Sequence, residues 1–343
     1  MTLTDIQRGA RAPREGILDA AGNTPLVALR RYLQRPDVEL YAKLESCYPG
    51  GSAKDRSATR MLTDAIDAGL VGPDTTVIES TSGNLGIGLA RVCRYYDLAL
   101  ICVVDSRAHK LGVATMRALG ADVRIVEQPD PETGDLLTAR LNLVASLVAE
   151  ADDAFWPNQY ANHSNPAAHA DGTMAEIDAA LDGDLDYLFV ATSTTGTLRG
   201  CAEYLQACGR ETTLIAVDAV GSALFDGVRG TRLLPGFGAG RQTELSRAAT
   251  YDQLLRIDDL GSVVGCRRLV EREAVFAGAS SGAVAVAVEQ LAPDMPSGSR
   301  CAIVLADGGA GYLDTVYDDD WVRRGLGATP DDLARFTAAT NRH

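Results

Sequence analysis

The sequence predicts an α/β protein of two domains, each a mostly parallel twisted sheet flanked by helices. Three observations predict it. Short apolar, β-rich runs alternate with helical stretches along the chain, the pattern that parallel strands joined by crossover helices produce. At 343 residues the chain is long enough for two buried cores. A Pro/Asp/Gly-rich stretch at 128–135 and one further helical segment then interrupt the alternation, which places an exposed linker at 150–153 before it resumes.

After a polar leader, Gly22-Asn23-Thr24-Pro25-Leu26 reads as a turn feeding a short strand, and 39–44 alternates as a strand. The loop Pro49-Gly50-Gly51-Ser52-Ala53-Lys54 leads into a helix over 55–68, where Ala58, Met61, Leu62, Ala65 and Ile66 share a face. Next come a strand at 76–79, a polar loop at 80–84, a helix at 85–95 and a buried strand at 98–104. A helix at 110–119, a strand at 122–126 and a helix at 136–149 close the first unit. The second repeats the alternation: helix 165–181, strand 187–191, loop 192–197, helix 198–208 and strand 213–218. Helix 263–273, loop 278–282, helix 283–291 and strand 301–305 complete it, and no internal repeat or low-complexity tract occurs.

An excess of 46 acids over 32 bases gives a net charge of −14, which argues against nucleic acid or an anionic membrane as partner. The N-terminal stretch lacks the apolar core of a signal peptide, and the apolar run at 98–104 is too short to cross a bilayer, so a cytoplasmic protein is expected. Seven cysteines, odd in number and without a C-x-x-C pair, read as free thiols, mostly buried. With 4 histidines and no clustered Cys/His spacing, no metal site is expected.

Lysine occurs at three positions, 43, 54 and 110. Lys43 lies within a strand pattern and Lys110 opens a helix, so both read as structural or surface residues. Lys54 sits at a helix N-terminus, where the backbone dipole opposes extra positive charge and favours a neutral amine. Such an amine is suited to forming a Schiff base, which the arginines that supply most of the positive charge cannot do. The loop Thr192-Ser193-Thr194-Thr195-Gly196-Thr197 offers hydroxyls and a helix start to an anion and reads as a phosphate cup. The Walker pattern is absent, and 83–88 spells G-x-x-G-x-G, not the dinucleotide fingerprint. Ser80-Thr81-Ser82-Gly83-Asn84 ends in an amide that can donate to a phenolate oxygen, while its hydroxyls and N–H groups suit a carboxylate. Gly278-Ala279-Ser280-Ser281-Gly282 offers neutral hydroxyls. A lysine, a phosphate cup and two polar loops describe a site for pyridoxal 5'-phosphate more economically than for any other cofactor.

These motifs, with Gly22-Asn23-Thr24-Pro25-Leu26, resemble the cysteine synthase and cystathionine β-synthase family of fold-type II pyridoxal phosphate enzymes, tryptophan synthase β-like in architecture, over 22–317. Within that family the chain is most similar to the enzymes that make N-(2-amino-2-carboxyethyl)-L-glutamate from O-phospho-L-serine and L-glutamate, a precursor of 2,3-diaminopropionate for siderophores or peptide antibiotics. The residues carrying this likeness are Glu79-Ser80-Thr81-Ser82-Gly83-Asn84-Leu85-Gly86, Asn158-Gln159-Tyr160-Ala161-Asn162, Ser193-Thr194-Thr195-Gly196, Leu234-Pro235-Gly236, Gly265-Cys266-Arg267 and Tyr312-Leu313-Asp314. Ordinary cysteine synthases have a proline, a threonine and a glycine-rich cup where this chain has Ser80, Leu85 and Thr194-Thr195, which argues against sulfide as second substrate.

The resemblance implies a smaller mobile domain over 45–155, a larger cofactor-binding domain over 1–44 and 156–330, and a C-terminal tail over 331–343. It implies that Lys54 carries the cofactor and acts as the base in β-elimination and replacement through an aminoacrylate. Asn84 would meet the phenolate oxygen, Ser193, Thr194, Thr195, Gly196 and Thr197 the cofactor phosphate, and Ser280 the pyridine nitrogen, with Ser281 the other choice. Ser80, Thr81, Ser82, Gly83 and Gln159 would hold the substrate, with Arg140 and Tyr160 as candidates for a substrate phosphate. The expected partners are small amino acids and a second copy of the chain in a homodimer. A sulfide-using cysteine synthase and a non-catalytic amino-acid sensor of the same fold stand as alternatives.

Overall fold

The structure, a computed structural model, describes residues 14–81, 83–226, 228–329 and 332–333. The chain enters through β1 (Leu26–Ala28) and β2 (Glu39–Leu44), an antiparallel pair with Leu26 opposite Lys43. It then builds a four-stranded unit in the order α1 (Lys54–Asp67), β3 (Thr76–Ser80), α2 (Asn84–Tyr95), β4 (Ala99–Asp105), α3 (Lys110–Ala118), β5 (Asp122–Val126), α4 (Leu136–Glu150) and β6 (Ala154–Phe155). Its strands run parallel in the order β5-β4-β3-β6. Alternation along the strands sorts the two faces. Val77, Cys102 and Val104 pack against Ala58, Met61, Leu62, Leu89 and Met116 from α1, α2 and α3. Their neighbours Ile78 and Val103 point the other way, onto Val144 of α4.

The spacing of Ala58, Met61, Leu62 and Ala65 puts an apolar stripe on α1, and all four are buried. α1 approaches α2 closely because Gly88 has no side chain: a Cβ there would meet Ala58 Cβ at 2.8 Å.

A second sheet follows from α5 (Ser164–Ala168), α6 (Ala175–Ala180), β7 (Tyr187–Ala191), α7 (Gly196–Ala207), β8 (Thr213–Ala219), α8 (Glu244–Arg247), β9 (Gln253–Ile257), α9 (Asp259–Glu273), α10 (Ala279–Leu291) and β10 (Arg300–Leu305). α11 (Asp319–Leu326) comes after it. The order is β1-β2-β10-β7-β8-β9, parallel except for β1. Phe189, Ile215, Val217 and Ile303 face Leu269 of α9 and Val284 and Val288 of α10. Leu188, Val190, Leu214 and Val304 face Ile177 of α6 and Leu198 of α7.

The predicted helix over 165–181 is instead α5, a π-helical turn over His169–Met174, and α6. The wider turn brings His169 Nδ1 within 2.9 Å of Thr173 Oγ1. Gly172 within it leaves room for the Arg56 guanidinium, which any Cβ there would meet. Helical periodicity cannot announce such a turn, since it preserves helical composition. Among the described residues no helix is long and apolar enough to cross a membrane.

Candidate active site

Loops after the carboxyl ends of β2, β3, β4, β7, β8 and β10 converge on one cavity of about 400 Å³. That is where parallel sheets place their ligands. Lys54, the first residue of α1, lines it. Its loop is tied to the end of β10 twice, by the Ser52–Asp307 bridge and by Ala53 N–H donating to Ala306 O at 2.8 Å. Burial pushes the Lys54 ammonium below the usual lysine range, while Asp307 and Glu45 pull against it.

Asn84 begins α2 after Gly83, whose φ of +151° favours glycine. Its Nδ2 donates to Asp307 Oδ2 at 2.8 Å, and Tyr312 OH donates to the same oxygen at 2.9 Å. Asp307 Oδ1 is buried without a hydrogen-bond partner. Burial raises the Asp307 pKa, with Asn84, Tyr312, Lys54 and His109 acting to lower it.

The neighbouring serines separate cleanly. Ser280 lines the cavity, whereas Ser281 is fully buried with an unpartnered hydroxyl. Of the predicted cup, Ser193 alone lines the cavity. Thr194 Oγ1 accepts from Asn165 Nδ2 and Gly196 N–H, Thr195 Oγ1 donates to Thr194 O, and Thr197 Oγ1 lies 3.2 Å from His169 Nε2. These side chains brace the loop. Thr195, at φ +67°, turns the chain into α7, whose first N–H groups have no helical partners.

Thr81, Gly83 and Gln159 also line the cavity. Thr81 Oγ1 accepts from the N–H groups of Gly83 and Gly86, both at 3.1 Å, and so fixes the turn. Ser80 does not reach the cavity: its hydroxyl is fully buried without a partner, and its carbonyl accepts from Gln159 Nε2 at 2.8 Å. The candidate Ser82 lies outside the described residues.

Beside this cavity opens a second chamber of about 540 Å³, and Tyr160, Ser193, Pro235 and Gly236 line both. Arg140 belongs to the second, where Arg107, Arg229 and Arg232 stand with it against Asp105 and Asp135. Arg140 is buried, donates from Nη1 to Thr81 O at 2.5 Å, and has Nε 3.3 Å from Asp105 Oδ2. Asp307, Tyr312 and His109 also line the cavity, and no motif or spacing in the sequence assigns any of them a role.

Residues 17–307 match the model of the family described as pyridoxal-phosphate dependent enzyme. The chain belongs to that family. It is similar to the O-acetylserine dependent cystathionine β-synthase from Helicobacter pylori, at 30% identity and TM-score 0.83, over 89% of this chain and 99% of that one. A hydrogen sulfide-producing enzyme from Fusobacterium nucleatum matches at 30% identity and TM-score 0.80, over 88% and 100%. O-ureido-L-serine synthase matches at 28% identity and TM-score 0.82, over 94% and 100%. The protein is therefore a pyridoxal-phosphate dependent enzyme of the cysteine/cystathionine synthase-like, β-replacement kind, with the fold-type II architecture predicted. The cavity suits the cofactor, with an amine of depressed pKa, an amide with one N–H left over, the Ser280 hydroxyl and Ser193 from the loop before α7 around one space.

Proposed function

We propose that the protein joins O-phospho-L-serine and L-glutamate by β-replacement, releasing phosphate and giving N-(2-amino-2-carboxyethyl)-L-glutamate, a precursor of 2,3-diaminopropionate. The observation that carries this reading is the chamber beside the cofactor cavity, where four arginines stand against two aspartates. A site for sulfide has no use for such a surplus of positive charge. A phosphate dianion or a second carboxylate needs it to offset desolvation.

Bound in the cavity, pyridoxal phosphate supplies an electron sink for the substrate's α-carbon. Lys54 carries the cofactor, and its Nζ takes the Cα proton and later returns it. Asp307 holds one hydrogen of the Asn84 amide, so the other is presented to the cofactor's phenolate oxygen. Ser280 offers a neutral hydroxyl to the pyridine nitrogen. Ser193 and the backbone of 194–197 receive the cofactor phosphate at the start of α7. Thr81, Gly83 and Gln159 face the substrate carboxylate, with Ser80 placing Gln159 through its carbonyl. Tyr160, on the wall common to both chambers, and Arg140 face the leaving phosphate.

Mass spectrometry after incubation with phosphoserine and glutamate tests the reading, with sulfide and acetylserine as competing substrates. Glutamate incorporation with phosphate release is expected. Sulfide consumption without glutamate consumption reverses it in favour of a cysteine synthase.

A further inference from the structure

An amine nucleophile raises a difficulty that sulfide does not. At neutral pH an amino acid arrives as an ammonium, and its nitrogen has no lone pair until a proton leaves. In the proposed reaction Lys54 cannot remove that proton, because it already holds the one taken from Cα and must give it back. A second base is required.

The other titratable groups lining the cavity are Tyr160, Asp307, Tyr312 and His109. Burial raises the pKa of Tyr160, and that of Tyr312 well above the ordinary phenol, so both stay protonated at neutral pH. Asp307 is committed to the framework of the site, its Oδ2 accepting from both Asn84 and Tyr312. His109 differs from all three. It caps α3, with its carbonyl accepting from Val113 N–H at 3.1 Å, so its backbone is fixed. Its ring packs edge-on to Tyr312 with centroids 5.1 Å apart, and its Nε2 is buried without a hydrogen-bond partner. Tyr312 packs on the ring and Asp307 interacts with it electrostatically, while Lys54 and Tyr160 line the same cavity and Arg107 and Lys110 are its charged neighbours in the chain. Imidazole is the side chain that exchanges protons most readily near neutral pH.

We propose that His109 is the catalytic base for the incoming amine. Its Nε2 accepts one proton from the nucleophile's ammonium, and the freed lone pair forms the new N–C bond at the substrate β-carbon. The product keeps its remaining amine protons as a secondary ammonium, and Nε2 passes its own proton to solvent as product leaves, which matches the proton the departed phosphate takes up. The leaving phosphate has departed earlier with its bonding electrons, so no oxidant or reductant enters. This role rests on the proposed function, because only a protonated nucleophile requires it.

The test is His109→Gln in the holoenzyme, measured in three ways. Phosphate release without nucleophile should be unchanged. Glutamate-dependent product formation should fall by about 100-fold or more near neutral pH, the scale of general base catalysis, and recover as pH approaches the amine's own pKa. Sulfide, which arrives with its lone pair free, should add at the wild-type rate. Separately, the imidazole NMR signal missing from His109→Gln should shift in wild type when glutamate is added. Equal losses with both nucleophiles, an unimpaired variant, or a signal indifferent to glutamate overturns the role of His109 alone. Wild-type protein that consumes no amine overturns the proposed function, and this role with it.

Discussion

Asn84 and Asp307 lie 223 positions apart in sequence and meet at 2.8 Å in the cavity, amide to carboxylate. Each comes from a different sheet unit, so their contact is also a joint between the two. Asp307→Asn keeps the shape and removes the charge. A hydrogen bond to a charged group is worth about 1.5–3 kcal/mol, so cofactor affinity should weaken by roughly ten- to a hundredfold. The carboxylate also acts to raise the Lys54 pKa. Without it the ammonium loses its proton at lower pH, and the acid limb of the pH–rate profile should move down. Unchanged cofactor affinity together with an unmoved limb would make the contact incidental.

Arg140 gives one hydrogen bond to Thr81 O and pairs with Asp105 while lining the arginine chamber. Arg140→Ala should raise the KM for phosphoserine far more than for acetylserine, since only the former carries a dianion. The substitution also leaves buried Asp105 with only the more exposed Arg107 to balance its charge, so stability falls as well. Thermal unfolding must therefore accompany the kinetics, and Arg140→Lys supplies a variant that keeps the charge. Equal losses on both substrates would leave Arg140 a purely structural residue.

Beneath α1 lies a buried charge network: Lys43 Nζ is 2.6 Å from Glu176 Oε2, and Arg56 bridges Glu176 at 2.7 Å and Glu45 at 2.8 Å. It ties the lysine-bearing helix to β2 and α6. Burial acts to raise the Glu176 pKa, but the Arg56 and Lys43 hydrogen bonds overcome it and hold the carboxyl at about 2 instead of 4.5. A depressed acid stabilises the fold fully above its unfolded pKa, so the contribution is present above pH 4.5 and is lost as pH falls toward about 2. At about 1.4 kcal/mol per unit it amounts to about 3 kcal/mol. Glu176→Gln should lower stability at neutral pH and flatten the acid limb of denaturant unfolding across that window. A variant as stable as wild type at pH 7, with the same acid limb, would remove Glu176 from the account.

How much of this was legible in the sequence depends on whether the cause is local. β4 was legible because a strand buried on both faces must be continuously apolar, and α1 because Ala58, Met61, Leu62 and Ala65 repeat at helical spacing. β9 carries no such signal: at the sheet edge Gln253 and Arg256 are exposed, and among the described residues only β8 pairs with it. β6 adds two residues immediately after the expected linker, too few to carry a period. In the site, Lys54 stood out by the scarcity of lysine. Choosing Ser280 over Ser281 needed the rotation of α10, which adjacent hydroxyls do not reveal. Asp307 carries no signal in the sequence because its partner Asn84 lies 223 positions away, and no spacing rule reaches that far.

The proposed function assigns Lys54 both the cofactor link and the proton transfer, and two substitutions separate those contributions. Lys54→Ala removes the amine, and Lys54→Arg keeps a positive charge but cannot link to an aldehyde. If charge alone mattered, the arginine variant would retain turnover, whereas a covalent carrier and proton shuttle would be lost in both. We expect both purified variants to lack the visible absorption of a lysine-linked cofactor and to lose at least about 1,000-fold in β-replacement, since nucleophile and base disappear together. Lys43 serves as the internal control: it is buried against Glu176, so Lys43→Ala should lower stability while leaving the absorption band in place. Full activity in Lys54→Ala, or a wild-type protein that stays colourless with the cofactor supplied, would place the carrier elsewhere.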